Sequence, residues 1–237
     1  MPAPLMSIRT TDWTCADPQA LLRLCQLVSP ALPVGAYAYS QGLELAVQAG
    51  WVTDEATAHE WLSGLGRFAL GTLDLPILAR LHAAWADHDS LAVERWNERL
   101  IAARDTAELR AEERHLGHSL ARLLGELQCA EALRWLHRDA TFATLFSLAA
   151  VHWRIPANAT LAGYLWTWSE NQVLAAVRLV PLGQSAGQRL LSGLIQEMPA
   201  IVRRAESLRE DEIGTSAWSQ GFASALHETQ YSRLFRS

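Results

Sequence analysis

Four stretches of this chain carry residue types at spacings that could do chemistry. In AYSQG, residues 38–42, Ser40 stands in an approximation of the G-x-S-x-G nucleophile elbow, with alanine at the first glycine. An elbow works because a strand delivers the serine into a strained turn ahead of a helix, on top of a parallel sheet. The same pattern recurs as AWSQG at 217–221, which shows how little five residues specify. In EERHLGH, residues 112–118, Glu112 and His115 make one Glu-x-x-His step, the spacing from which helical bundles build dinuclear metal sites, and His118 follows three residues on. Such sites need a second step and further carboxylates, and the sequence offers no second step. A solvated helix face is the expectation, with a helical metalloenzyme using Glu112, His115 and His118 as the alternative. Glu55 and His59, one turn apart, are read the same way. GLGRFALG, residues 64–71, resembles a glycine-rich phosphate loop, but Ala69 replaces the third glycine and the segment lies inside a helical pattern. Close helix packing over Gly64 accounts for it.

The elements that would have to position these groups read as helix throughout. Asp17 before Pro18 is a cap followed by a first helical position, and Leu21, Leu24, Cys25 and Val28 recur at helical spacing. A loop, SPALPVGAYAYSQGLE, interrupts residues 29–44, and the helical pattern resumes from about Ser40 to Gly50. Ser40 is therefore read as the N-cap of the helix beginning near Gly42. Helix starts follow at Thr53–Glu55, Asp74, Asp89 and Thr106; residues 129–137, 140–153, 159–180 and 185–207 continue the pattern, with Pro156 and Pro181 as punctuation. No alternating run forces a strand, and the chain has no fixed-period repeat. The predicted fold is all-α: a single-domain bundle of roughly ten helices over 17–207, a flexible segment at 1–16, and a loop at 208–222 leading into a partly disordered tail to 237. In that tail Tyr231, Leu234 and Phe235 would share one face of a helical turn, a segment too short to hold itself and suited to folding on a partner.

Composition narrows the function. The chain has 237 residues, half of them hydrophobic, and a formal charge of -5. It lacks the clustered positive charge that nucleic acid or an anionic membrane surface requires. No apolar run reaches the roughly 18–20 residues needed to span a bilayer, and MPAPLMSIRTTDW does not read as a secretory signal, so a cytoplasmic protein is expected. Cys15, Cys25 and Cys129 have no CxxC spacing and are expected reduced and mostly buried. All 20 basic residues are arginine. Without a lysine there is no Walker A loop and no Schiff base, so any GTP or ATP in its biology belongs to a partner. Chemistry finds no secure home, whereas the uncharged loop with Tyr37 and Tyr39 and the tail with Tyr231, Arg233 and Phe235 are rich in residues that dominate binding hot spots.

These segments carry a resemblance. LPVGAYAYSQGLE (32–44), AGWV (49–52), DLPILARL (74–81), ARDTAELRAEER (103–114), VRLVPLGQSAGQRLL (177–191) and HETQYSRLFRS (227–237) together resemble the urease accessory protein F family along nearly the whole chain. The resemblance implies an all-α homodimer without catalysis of its own. It implies partners: accessory protein D (called H in some organisms), the GTPase G, and apo-urease through their complex. No cofactor would be held tightly, with nickel and GTP handled by the assembly. By position in the family motif, Tyr37 and Arg233 are first choices for recruiting the GTPase. Tyr39, Ser40, Glu44, Arg178, Glu228, Tyr231, Leu234 and Phe235 complete the expected partner-binding set, and the tail is expected to order when protein D binds. Many relatives have histidine at Tyr39 and lysine at Arg178, so contacts there depart from the family pattern.

Overall fold

The computed structural model describes residues 17–215 and 217–237, so the expected segment 1–16, with Cys15, lies outside the described residues. Among the described residues there are ten α-helices and no strand. In chain order they are α1 (Pro18–Leu27), α2 (Leu43–Gln48), α3 (Glu55–Leu65), α4 (Leu75–Ala86), α5 (Ser90–Ala102), α6 (Ala107–Glu126), α7 (Phe142–His152), α8 (Ala157–Leu179), α9 (Gln184–Ser207) and α10 (Trp218–His227). The caps follow the sequence: side chains of Asp17, Asp54, Asp89, Thr106 and Thr141 accept from backbone N–H groups of the first turns of α1, α3, α5, α6 and α7.

The centre is α7. FATLFSLAA is apolar or small on every side, and all nine residues from Phe142 to Ala150 are buried; a helix without a polar face must be surrounded. α1, α4, α5, α6 and α8 pack around it. Asn97 of α5 ties its start down, donating to Asp139 O (2.7 Å) and accepting from Thr141 N (2.9 Å) and the Thr144 hydroxyl (2.9 Å). The α6 backbone comes so close here that a Cβ on Gly117 would stand 2.1 Å from Ala140 O. Backbone cannot yield as a flexible side chain does, so Gly117→Ala should cost about 2–3 kcal/mol of unfolding free energy in a denaturant titration.

Several sequence expectations are corrected. Asp74 does not start a helix: α3 runs through a π-helical stretch, Gly66–Asp74, directly into α4, and Asp74 is a buried ion-pair partner without a capping bond. A π insertion preserves helical spacing while changing which face each residue takes, so the pattern alone does not show it. Close packing rests on Gly66 and Gly71, against Ile201 of α9, and not on Gly64, which has open space beside it. Residues 130–135 form a 3₁₀ turn instead of an α-helix. Cys25 is exposed and only Cys129 is buried. The expected loop at 208–222 holds a 3₁₀ turn at Glu210–Glu212 and the start of α10. None of the described helices is long and apolar enough to cross a membrane.

Candidate functional site

The loop at 29–42 and the tail at 228–237 meet and close on each other. Arg236 N donates to Ala38 O (2.9 Å), and the carbonyl of Ser237 accepts from Ser40 N (2.8 Å), Gln41 N (3.0 Å) and the Ser40 hydroxyl (2.6 Å). Glu44, in the first turn of α2, accepts from the backbone N–H groups of Leu234 (2.7 Å) and Phe235 (2.8 Å). A carboxylate taking two N–H groups supplies charge-assisted bonds to backbone that would otherwise be buried unpaired. Glu44 also faces His227 Nε2 (3.4 Å), whose Nδ1 lies 2.8 Å from Glu108 of α6, and Glu108 in turn accepts from Arg233 (2.6 Å). Glu228 reaches back to accept from Ala107 N and Glu108 N at the start of α6. The expectation of a partly disordered tail is therefore corrected. Its backbone donors are taken up by side chains far upstream, and Phe235 is 5% exposed. It is not a helical turn either, so Tyr231 and Leu234 point outward while Phe235 points in.

Gly42 begins α2 with φ +88°, and a Cβ there would meet that of Ala223 at 2.9 Å, so only glycine lets α2 start against α10. Gly42, and not Ser40, is thus the N-cap. Ser40 still accepts from Glu44 N at 3.3 Å, but it is fully buried and its hydroxyl proton is spent on Ser237 O.

Behind the clasp lies a cavity of about 60 Å³. Its floor is an ion cluster: Arg104 bridges Asp74 and Glu113, and the second Glu113 oxygen accepts from Phe142 N (3.0 Å). Burial alone would lower the Arg104 pKa, but the charges of Asp74 and Glu113 raise it well above the usual value. Burial, aided by those two carboxylates, raises the Tyr164 hydroxyl well above its ordinary value. Glu112 accepts from Gln41 Nε2 (2.8 Å) and the Ser237 hydroxyl (3.0 Å), and Gln41 Oε1 accepts from Trp168 Nε1 (2.8 Å). Burial pushes the Glu112 carboxyl up to about 7; the Gln41 bond opposes this and the Glu113 charge adds to it.

This arrangement separates the residues singled out from sequence. Tyr39, Ser40, Glu44 and Phe235 are buried, so they close the clasp and do not form its outer surface. Burial raises the Tyr39 hydroxyl pKa, against a bond from Arg236. Tyr37, Tyr231 and Leu234 are exposed around it, Arg233 lies on its rim, and Glu228 is an exposed residue whose carboxylate is committed to α6. Arg178 is exposed in the last turn of α8 and takes no part in these bonds. Glu112, His115 and His118 are not brought together: Glu112 is buried under the clasp, and His118 Nε2 lies 2.7 Å from Arg138 O. The expected solvated face is corrected for Glu112. Among the described residues no group of three or more His, Cys, Asp or Glu could hold a metal ion. Gln41, Glu108, His227 and Ser237 were missed; Glu108 stands one turn before Glu112, the only local sign of a shared face.

A helical bundle whose buried polar groups lock a loop to a tail, leaving aromatic and arginine side chains outside, defines an all-α protein organised around a displayed surface. The family can be stated as well. The UreF family model matches residues 52–195, and the chain belongs to that family. It is similar to the urease accessory protein UreF of Alkalilimnicola ehrlichii, 50% identical over 216 residues covering 91% of this chain and 95% of that protein. It is also similar to the protein of that name from Azoarcus sp., 51% identical over 223 residues covering 92% and 95%. A third, from Hahella chejuensis, is 46% identical over 220 residues covering 93% and 99%.

Proposed function

We propose that this chain is a cytoplasmic, homodimeric urease accessory protein without catalysis of its own, which bridges accessory protein D/H and the GTPase G and regulates GTP-dependent nickel delivery to apo-urease. The observation that carries the reading is the clasp, which fixes Tyr37 and Arg233 on adjoining segments of one surface through Arg236 N to Ala38 O and Ser40 N to Ser237 O. A rigid aromatic anchor beside a planar guanidinium is the hot-spot pairing that protein interfaces favour. A second surface supports protein D/H: Trp218, Phe222 and Leu226, on successive turns of α10, are 78%, 65% and 54% exposed. An apolar stripe of this kind marks an interaction face. Nickel and GTP are handled by the assembly, in line with the absence of lysine.

Co-expression with proteins D and G, the mass of the purified complex, and urease activation with and without this chain test the reading. Tyr37→Ala and Arg233→Ala should each weaken capture of the GTPase about thirtyfold, roughly 2 kcal/mol, while protein D stays bound. Their thermal midpoints should barely move, because an exposed tyrosine and a rim ion pair contribute little to folding. Full-strength capture of the GTPase by both variants would refute the assignment.

A further inference from the structure

We propose that the loop–tail clasp is a proton-controlled latch, closed over the cavity while Glu112 is neutral and opened when Glu112 gives up its proton. Glu112 touches both halves of the clasp at once, one oxygen on Gln41 of the loop and the other on Ser237 of the tail. Both partners are neutral. The nearby guanidinium, Arg104, is committed to Asp74 and Glu113. A neutral Glu112 keeps both contacts, accepting from Gln41 through its carbonyl oxygen and donating its own proton to the Ser237 hydroxyl. An ionised Glu112 keeps them as an acceptor but leaves a charge in the interior, beside the Glu113 carboxylate, and opening the clasp hydrates that charge. Gln41 is poised for such a movement. It is a non-glycine residue at φ +52°, held there by its N–H on Ser237 O and its side chain between Trp168 and Glu112.

The other charged and titratable groups around Glu112 come from every packed element. Glu113 lies on α6 and Arg104 just before it, Asp74 ends the π-helical stretch, and Tyr164 lies on α8. Tyr39 stands on the loop with Arg236 of the tail bonded to it. α10 contributes a neutral Gln220 to the cavity wall. The His227–Glu44–Glu108 chain holds the outer part of the tail and titrates independently of Glu112.

The sign follows from the direction of the shift. Closed, Glu112 holds its proton up to about pH 7; open to water, it loses it in the ordinary carboxylate range near 4.5. Between those limits the closed state binds the extra proton, so raising the pH favours opening by up to about tenfold per unit, and the effect levels off above 7. Hydrogen exchange of the full chain, corrected for intrinsic rates and followed on peptides 35–44 and 228–237, should show opening that climbs several tenfold between about pH 5 and 7.5 and then flattens. Glu112→Gln should keep the clasp at the low-pH level throughout. A wild-type profile that is flat or falling, or a Glu112→Gln profile that follows the wild type, overturns the proposal. Should Glu112→Gln fail to fold, carbon-13 shifts of the wild-type glutamate carboxyls decide. One glutamate titrating near neutrality in step with opening sustains the latch, and titration of all of them in the ordinary range overturns it. No partner is needed, so failure here leaves the proposed function standing.

Discussion

Arg104→Met should lower the unfolding free energy by about 3–5 kcal/mol at neutral pH, read from urea titrations at constant m-value. The guanidinium is the shared counter-charge of Asp74 and Glu113, and the two carboxylates are 3% and 6% exposed. Methionine replaces the apolar stem and removes the charge, leaving two buried anions facing each other with only Phe142 N and weaker contacts to compensate. The penalty belongs to the abandoned anions and not to the arginine itself. Adding Asp74→Asn and Glu113→Gln to Arg104→Met should therefore recover much of the loss, as buried ion clusters replaced together often do. The single variant should also lose less at low pH, because protonating either carboxyl removes an unpaired charge. A loss below about 1 kcal/mol would mean that the cluster is hydrated and not an interior feature.

That cluster marks where sequence reading stops. Asp17–Pro18, Asp89 and Thr106 were legible as helix starts because capping is decided within three residues. Asp74 carries the same local signature, aspartate before a proline-containing helix, yet its partner is Arg104, thirty positions away, and no local pattern tells a cap from an ion pair. Glu112 looked solvated for a related reason: its side of α6 is covered by a residue 125 positions downstream. α10 was hidden by an inverted pattern. It buries small and polar residues, Gln220, Ala223, Ser224 and His227, and exposes Trp218, Phe222 and Leu226. A helix that saves its apolar face for something other than its own core defeats periodicity rules, which assume the apolar side is inside. The loop and tail were legible as a pair only through resemblance. That their backbones bond to each other depends on Glu44 and Ser237, whose roles exist only in the folded chain.

The tail's two neighbouring apolar residues should behave oppositely. Phe235→Ala should remove about 3 kcal/mol or more from the seating of the tail, the usual cost of deleting a buried ring, whereas Leu234→Ala should stay within about 0.5 kcal/mol of wild type. Phe235 is 5% exposed and Leu234 is 68% exposed, and both backbone N–H groups are held by one carboxylate, Glu44. Because the segment closes the chain against the loop, its loss need not unfold the bundle: local opening can release residues 228–237 while α7 and its neighbours persist. Hydrogen exchange separates the two outcomes. In Phe235→Ala the N–H groups of Leu234 and residue 235 should lose protection together with those of Ser40 and Gln41, which donate to Ser237 O. In Leu234→Ala all four should stay protected, and any loss should appear in partner capture alone. Equal protection in the two variants would show that the bonds to Glu44 hold the tail without the ring. Loss of protection throughout α7 would show that the clasp and the core unfold as one unit. On the expected result, the tail closes the loop by its inward residue and offers its outward one to a partner, a division of labour two adjacent side chains can sustain because the backbone between them is fixed.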